Sequence, residues 1–407
     1  MIRLLPPGAS PDAAVLVRAR GVRAFGDGFV SVLLPVYLTT LGYSEIQIGA
    51  VTTATLLGSA ALTLGVGLIA VRLRRRALLL RAAILMIATG LAFAFVRDFW
   101  PLLVVAFVGT LNPSSGDVSV FLPTEQALLP QTVVPEDRTT LFARYTYTGT
   151  LIAAIGSLFA GLPSLIAART SLDFQSALAG MFLLYALLGV VVLLLYRGLS
   201  PAIEPSGGHT AAPLGPSKRM VYTLAGLFSI DSFAGGFAVQ SIMALWLLNR
   251  FGLSVATTGA IFFWTSLLAA GSQLVAPRLA RRIGLINTMV FTHLPANLFL
   301  ILVPFMPTLP LALAFLFARS ALSQMDVPTR TSYVMAVVSP PERPAAASVT
   351  NVPRSLASAL APLPAGYLLA SSPFGWPLVI CGSLKVVYDL LLLAMFRAAR
   401  PPEERGE

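Results

Sequence analysis

Asp326 and Arg330 stand four residues apart at the end of an almost wholly apolar run, LPLALAFLFARSALSQM. On a helix that spacing puts both side chains on one face, where they can pair. A second stretch, PTEQALLPQTVVPEDR from Pro123 to Arg138, has the same frame. Pro123 and Thr124 match Pro328 and Thr329, and Arg138 matches Arg343, each 205 residues apart. Other charges lie scattered in apolar surroundings: Asp27, Asp117, Glu125, Arg144, Asp231, Arg319, Arg354, Lys385 and Asp389. Carboxylates of this kind can take up and release protons. Opposite charges can form pairs that open and close. Guanidinium groups can hold an anion through two parallel hydrogen bonds. The sequence has no GxxxxGK[ST] phosphate loop, no Cys/His cluster and no nucleophile beside a base. ATP-driven transport by this chain alone, a structural metal and an enzymatic function are therefore not expected, and no cofactor is implied.

The elements that must carry these groups are set by composition. Of 407 residues, 56% are hydrophobic and 11% charged, and the mean hydropathy is +0.81. Soluble chains carry roughly 25% charged residues, so this chain belongs to the membrane class. A spanning helix needs about 20 mostly apolar residues. Twelve such spans can be drawn: 20–41, 47–71, 77–97, 99–130, 138–167, 175–197, 219–249, 255–277, 284–306, 309–338, 343–371 and 375–396. Helices are expected because hydrocarbon offers no partner to a free backbone amide. A transmembrane barrel would need alternating strands, and MFLLYALLGVVVLLLY does not alternate.

Charge placement orients the spans. Most Lys and Arg fall at the two ends or in alternate loops, as in RLRRR (72–76), Arg138, Arg197, Arg278, Arg281, Arg282 and Arg343. The opposite loops hold Arg97, Arg169 and Arg250. This asymmetry places both termini in the cytoplasm. It also accounts for the net charge of +11 without a nucleic-acid partner. The N-terminal MIRLLPPGASPDAA is too short in apolar residues for a cleavable signal. Cys381, the single cysteine, permits no intrachain disulfide. The segment GLSPAIEPSGGHTAAPLGPSKR, rich in Pro, Gly and Ser, reads as a linker, with His209 a solvated loop residue. The expected organisation is a cytoplasmic segment 1–19, a six-helix bundle 20–197, a cytoplasmic linker 198–218, a second six-helix bundle 219–396 and a cytoplasmic tail 397–407.

The halves repeat. FGDGF (25–29) echoes FAGGF (233–237), RLRRR (72–76) echoes RLARR (278–282), and Gly161 echoes Gly366, at offsets of 205 to 208. Parallel six-helix repeats joined by a cytoplasmic linker are one plan of secondary transporters. On the span count, the repeat, the linker and the basic loop after the second span, the whole chain resembles the major facilitator superfamily. That loop reads approximately GxxxDRxGRR in the superfamily. Here Gly67, Arg72, Arg75 and Arg76 match, while Val71 replaces the Asp and Arg74 the second Gly. The glycine series of the fifth span is present as Gly149, Gly156 and Gly161, without its Gly-Pro step. The resemblance implies an all-α integral membrane fold of 12 helices in two pseudo-symmetric bundles. It also implies a monomer in the inner membrane that moves a small-molecule substrate by alternating access.

Roles can then be assigned. Asp27, Asp117 and Glu125 are the candidates for proton coupling; the alternative for Asp27 is a helix-end carboxylate paired with Arg20 or Arg23. Asp326, Arg330, Arg72, Arg138 and Arg343 are candidates for a gate or latch, and Arg144, Arg354, Asp231 and Gln240 for substrate contact. Lys385 and Asp389, again i to i+4, are expected to pair within the last helix. His293 is expected as a hydrogen-bonded packing residue, and Phe262, Phe263 and Trp264 as packing or lipid contacts. The expected function is proton-coupled efflux of a hydrophobic or amphiphilic compound. Its rivals are uptake of a metabolite such as an organic acid, and an uncoupled facilitator or sensor on the same scaffold.

Overall fold

In the computed structural model the described residues are 5, 8–69, 74–114, 120–134, 137–203, 214–339 and 342–397. They are helical and fall into two compact units. Unit one holds residues up to 208 together with 252–263; unit two holds 209–251 and 264 onward. In unit one α1 (Pro11–Thr40), α2 (Glu45–Ile69) and α3 (Arg75–Phe95) each follow one expected span. α4 (Phe99–Val108) and α5 (Phe121–Leu128) share the fourth, α6 (Arg138–Leu158) and α7 (Leu162–Arg169) the fifth, and α8 (Phe174–Arg197) forms the sixth. The later helices are α9 (Lys218–Gly236), α10 (Gln240–Phe251), α11 (Val255–Ile283), α12 (Leu285–Leu302), α13 (Leu309–Leu322), α14 (Asp326–Val337), α15 (Arg343–Leu360), α16 (Pro362–Ser371) and α17 (Trp376–Phe396). Among the described residues nine helices are long and apolar enough to cross a membrane. The fourth, fifth, seventh, tenth and eleventh spans are each divided between two helices.

The divisions correct the expectation of unbroken spans and have local causes. Asn112, Pro113 and Ser114 stand between α4 and α5, and proline donates no helical hydrogen bond. Gly235 and Gly236 precede the break between α9 and α10. Ser323–Met325 separates α13 from α14. Backbone freed inside a membrane must find other partners. After α4, the Thr110 amide donates to Thr89 Oγ1 at 3.2 Å, and Tyr185 Oη donates to the Thr110 carbonyl at 3.0 Å. Helix α1 begins at Pro11, nine residues before the expected span. Its Asp12 accepts from the Ser200 amide at 2.9 Å and from Ser200 Oγ at 2.6 Å.

The repeat seen in sequence is a repeat of packing. In unit one α1 lies against α6 and α8, and α3 against α8; in unit two α9 lies against α15 and α17, and α12 against α17. Each first hairpin turns on a glycine with positive φ, Gly42 at 85° and Gly252 at 61°. A serine two residues on caps the next helix: Ser44 Oγ accepts from the Gln47 amide at 3.4 Å, and Ser254 Oγ from the Thr257 amide at 3.1 Å. Unit one is filled by aromatic packing, with Phe182 4.7 Å from Tyr37 and 5.4 Å from Phe93 between ring centroids. Unit two buries Phe228, Tyr333, Tyr388 and Phe396 with aliphatic side chains of α9, α12, α14, α15 and α17. Large apolar side chains such as Phe95, Trp100, Leu194 and Trp264 are exposed. On a membrane protein that is the surface hydrocarbon covers, and Trp264 is such a position, whereas Phe262 is buried.

Close helix crossings that recur in both units depend on small residues. A Cβ on Gly28 of α1 would lie 2.1 Å from the Ala153 carbonyl oxygen of α6, and one on Gly156 would lie 2.2 Å from the Phe25 oxygen. In unit two a Cβ on Gly236 would lie 2.2 Å from the Ser358 oxygen. The positions correspond at the offsets of the repeat, Gly28 to Gly236 and Ala153 to Ser358. Overpacking of this kind costs about 1–3 kcal/mol. Gly28→Ala and Gly236→Ala are therefore expected to lower the melting temperature of the purified protein. Gly180→Ala and Gly226→Ala, with nothing within 4 Å of the added carbon, should leave it unchanged or raise it. Equal effects at all four positions would contradict the crossing geometry.

Candidate functional site

Each unit holds a buried charge cluster in its helical core. In unit one it centres on Glu125, which is 0% exposed on α5. Arg23 of α1 donates to both its oxygens, Nη1 to Oε1 at 2.9 Å and Nη2 to Oε2 at 2.5 Å. Tyr196 of α8 donates to Oε1 at 2.6 Å, and Tyr145 of α6 donates to Oε2. Arg23 Nη1 also donates to Tyr196 Oη. Its guanidinium carbon stands 4.2 Å from the centre of the Phe121 ring, one turn before Glu125 on the same helix. One carboxylate thus ties together four helices, with every bond charge-assisted.

In unit two the corresponding cluster centres on Asp231 of α9, which is 4% exposed. Lys385 Nζ of α17 donates to Oδ1 at 2.5 Å, and Arg330 Nη1 of α14 donates to Oδ2 at 3.2 Å. Arg330 Nη2 also donates to Asp326, so the pair expected from i, i+4 spacing is formed. The Arg330 guanidinium lies 5.4 Å from the centre of the Phe228 ring, one turn before Asp231. His293 of α12 joins the group: its Nδ1 is 2.9 Å from Asp389 Oδ1, and its Nε2 is 3.9 Å from Asp231 Oδ1. Asn297 donates to Asp389 Oδ2 at 3.0 Å. The expected pairing of Lys385 with Asp389 is not made. Lys385 crosses to Asp231, and Asp389 turns to His293 and Asn297. Each carboxylate thus meets a partner on another helix.

The two clusters are one design with the charges exchanged. Arg23 corresponds to Asp231 (23 + 208), and Glu125 to Arg330 (125 + 205). A basic residue on the first helix and an acid on the fourth become an acid on the seventh and a base on the tenth. In both units the guanidinium covers a phenylalanine one turn before the carboxylate it binds. Matching identical residues between the halves misses this, because neither pair is identical. Aligning the halves at the offsets already apparent and asking for opposite charge would have found Arg23. Lys385 and His293 have no such signal; tertiary packing alone brings them in.

The other expected residues fall in several places. Asp27 is 6% exposed on α1, within electrostatic reach of Tyr185. Of Arg20 and Arg23, the two neighbours considered for it, Arg23 binds Glu125. Asp117 and Arg72 lie outside the described residues, as does the side chain of Arg343. Arg144 is partly buried on α6, one residue from the Tyr145 that reaches Glu125. Arg354 of α15 donates to Ser232 Oγ at 3.1 Å and to Asn351 Oδ1 at 3.2 Å, both neutral. Gln240 opens α10 beyond the break after Asp231, and its side chain makes no hydrogen bond among the described residues. Arg138 is exposed and donates to the Pro130 carbonyl at 3.2 Å. Arg75 donates likewise to the Ala127 carbonyl at 3.1 Å and Arg76 to the Arg197 carbonyl at 2.6 Å. The basic loops thus cover the carbonyl ends of helices, where positive charge is favoured.

Beside Arg343, Glu342 accepts from the Gly215 amide, from Ser217 Oγ at 2.9 Å and from Ser339 Oγ at 2.6 Å. It ties the end of the linker to the turn between α14 and α15. The Ser339 hydroxyl and then the Gly215 amide hold its carboxyl below the usual carboxylate range. A folded-state value that is lowered adds stability above the unfolded value, and the addition is lost as pH falls through the folded one. Protection of the 214–220 amides, measured against their intrinsic exchange rates, should therefore fall on acidification below the usual carboxylate range, and Glu342→Gln should lower it already at neutral pH. Exchange independent of both would remove the tie.

Removing one partner of a buried ion pair costs about 3–5 kcal/mol, because the other charge stays buried alone. Arg23→Glu or Glu125→Arg alone should sharply lower the yield and melting temperature of folded protein. The double exchange reproduces the order of charges found in unit two and should melt well above either single variant. A double variant no better than the singles would show that the pairing is not what holds α1 to α5.

Comparison with known proteins adds the following. The sequence profile described as Major Facilitator Superfamily matches residues 19–323 and 232–407. An uncharacterized membrane protein of Saccharomyces cerevisiae is 27% identical over 425 residues, covering 95% of this chain and 94% of its own. Among solved structures, the nucleoside transporter NupG superimposes with a TM-score of 0.73 at 15% identity, over 95% of this chain and 99% of that one. A bacterial homolog of the human lysosomal transporter Spinster, inward-facing and unoccupied, gives 0.70 at 15%, over 96% of each. The human organic anion transporter MFSD10 gives 0.64 at 18%, over 94% and 99%.

Proposed function

We propose that this chain, which belongs to the major facilitator superfamily, couples export of a small amphiphilic molecule to the entry of protons, by alternating access across the inner membrane. The observation that carries the coupling is the buried series Asp389, His293, Asp231 and Lys385, which runs from α17 through α12 to α9 and back. The imidazole holds Asp389 at hydrogen-bond distance, while 3.9 Å separates it from Asp231. That gap is too long for a hydrogen bond, so a proton passes between the two carboxylates only when α12 and α9 shift. Lys385 and Arg330 already neutralise Asp231, and a protonated His293 would be a third cation beside it. Proton uptake and helix position are thereby linked. Asp27, buried between Gly26 and Gly28 where α1 meets α6, is the second proton-carrying candidate. Glu125, with four donated bonds, serves as an anchor. The membrane potential supplies about 2.3 kcal/mol per charge per 100 mV.

The basic loops that cover helix ends support cytoplasmic termini. Uptake of an organic acid is the second reading, favoured by Arg354, a partly buried guanidinium whose partners are neutral.

Proteoliposomes loaded with a pH-sensitive dye and offered ethidium, 8-anilinonaphthalene-1-sulfonate, uridine or benzoate would test the coupling. A transported probe should move protons in the opposite direction. An uncoupler should abolish its uphill movement, and His293→Gln and Asp27→Asn should each reduce it at least tenfold. Probe flux indifferent to the uncoupler and to both substitutions would identify a facilitator and overturn the coupling.

A further inference from the structure

Arg319 is the charged side chain of an otherwise apolar helix, α13 (LPLALAFLFARSAL). Helix α13 begins at Leu309, so Arg319 lies ten residues in, at a depth of about 15 Å by helical rise. That is half of a hydrocarbon core about 30 Å thick. The residue is partly buried; its Nε is sealed from solvent and has no hydrogen-bond partner, and the side chain makes no ion pair among the described residues. The acids of unit two are otherwise engaged. Asp231 holds Lys385 and Arg330, Asp326 holds Arg330, and Asp389 holds His293 and Asn297. Ser320, next in sequence, bonds back to the Leu316 carbonyl at 2.8 Å. Arg319 instead faces the level of Cys381 on α17, one turn before Lys385, and Cys381 lies within electrostatic reach of both cations.

A guanidinium offers five donors in a planar fork that fits carboxylate or phosphate oxygens. Sealing one of its N–H groups from water without an acceptor is costly and gives the resting fold nothing in return. Every other described cation in the two buried clusters has a carboxylate, a hydroxyl or an amide oxygen. We infer that Arg319 receives an anionic group, carboxylate or phosphate, of the molecule this protein transports. The binding site lies within the second unit, at mid-membrane depth. The inference rests on the transport reading above and adds the charge of the substrate: an amphiphilic organic anion. A lipid headgroup would carry the same phosphate chemistry, but headgroups lie at the membrane faces and Arg319 does not.

The test is a melting experiment on the purified full chain in detergent, where no proton gradient exists. Its failure would leave proton coupling standing, and a failure of coupling would leave it standing in turn. The probes are benzoate, phenyl phosphate, benzamide and benzylammonium at tens of millimolar. At least one of the two anions should raise the melting temperature, while benzamide and benzylammonium should not. Arg319→Gln should abolish the shift and Arg319→Lys should keep part of it. Without probe, Arg319→Met should melt above the wild type, since a partly buried charge with a sealed, unpartnered N–H has been replaced by an apolar side chain. Several results would each overturn the assignment: no anion shift, an equal shift with benzamide, a shift retained in Arg319→Gln, or an Arg319→Met protein that melts lower. A shift reproduced by phosphatidylglycerol micelles but by neither small anion would give the site to a lipid and overturn it as well.

Discussion

A charge held inside hydrocarbon must be met by an opposite charge, and this single constraint organises both halves of the protein. The penalty for an isolated ion in a low-dielectric interior is several kcal/mol even after relaxation. A helix that carries one is therefore bound to the helix that carries its partner. Arg23 and Glu125 bind the first membrane helix to the fourth, and two tyrosine hydroxyls from the fifth and sixth complete the carboxylate's shell. Asp231 and Arg330 bind the seventh to the tenth, with Lys385 bringing in the twelfth. The divided helices make the arrangement possible. Both α5 and α14 begin after a break, so each charged segment can take the angle its partner needs while the apolar segment before it packs as the lipid-facing wall requires.

The exchange of sign between the two halves separates geometry from chemistry. What recurs at offsets of 205 to 208 is the crossing: Gly28 against Ala153 and Gly236 against Ser358, each too close for a side chain. Such contacts fix how far apart the helix axes lie, and hence which positions along them face each other. Position 23 must then face position 125, and 231 must face 330, whatever residues stand there. The requirement is complementarity, and either order of charge satisfies it. The same exchange appears at the neighbouring crossing. Arg20 lies over Gly149 in unit one, where a Cβ would come within 2.5 Å of its Nε. In unit two the equivalent positions are Phe228 (20 + 208) and Arg354 (149 + 205). The guanidinium has moved to the other helix, and the smaller or flatter residue takes its former place.

This explains which parts of the molecule were legible in the sequence. The spans were readable because hydropathy over 20 residues is a local property. The i, i+4 pair Asp326–Arg330 was readable because both partners stand on one helix. The breaks were half-readable: Asn112-Pro113 and Gly235-Gly236 are visible breakers, but whether a span divides there depends on whether Thr89 and Tyr185 can take over the freed backbone groups. The Lys385–Asp389 expectation failed because the same i, i+4 rule applied to two residues that each had a stronger partner on another helix. The Arg23–Glu125 pair, 102 residues apart, was hidden because identity matching asks for the same residue where the fold asks for the opposite one.

The halves differ where function would require it. In unit one the cluster is closed. Glu125 accepts four bonds, and Arg23 has its carboxylate and its aromatic face. In unit two the same frame carries additions: a lysine-to-aspartate bond, an imidazole between two carboxylates at unequal distances, Arg354 with neutral hydrogen-bond partners, and Arg319 with no ion pair among the described residues. A closed cluster has one low-energy arrangement. A cluster with a 3.9 Å gap and an unanswered cation has room for more than one, and on the proposed function their balance would shift when a proton or an anion enters. On that proposal the first unit would serve as a frame and the second as the responsive half, although both derive their shape from the same kind of helix crossing.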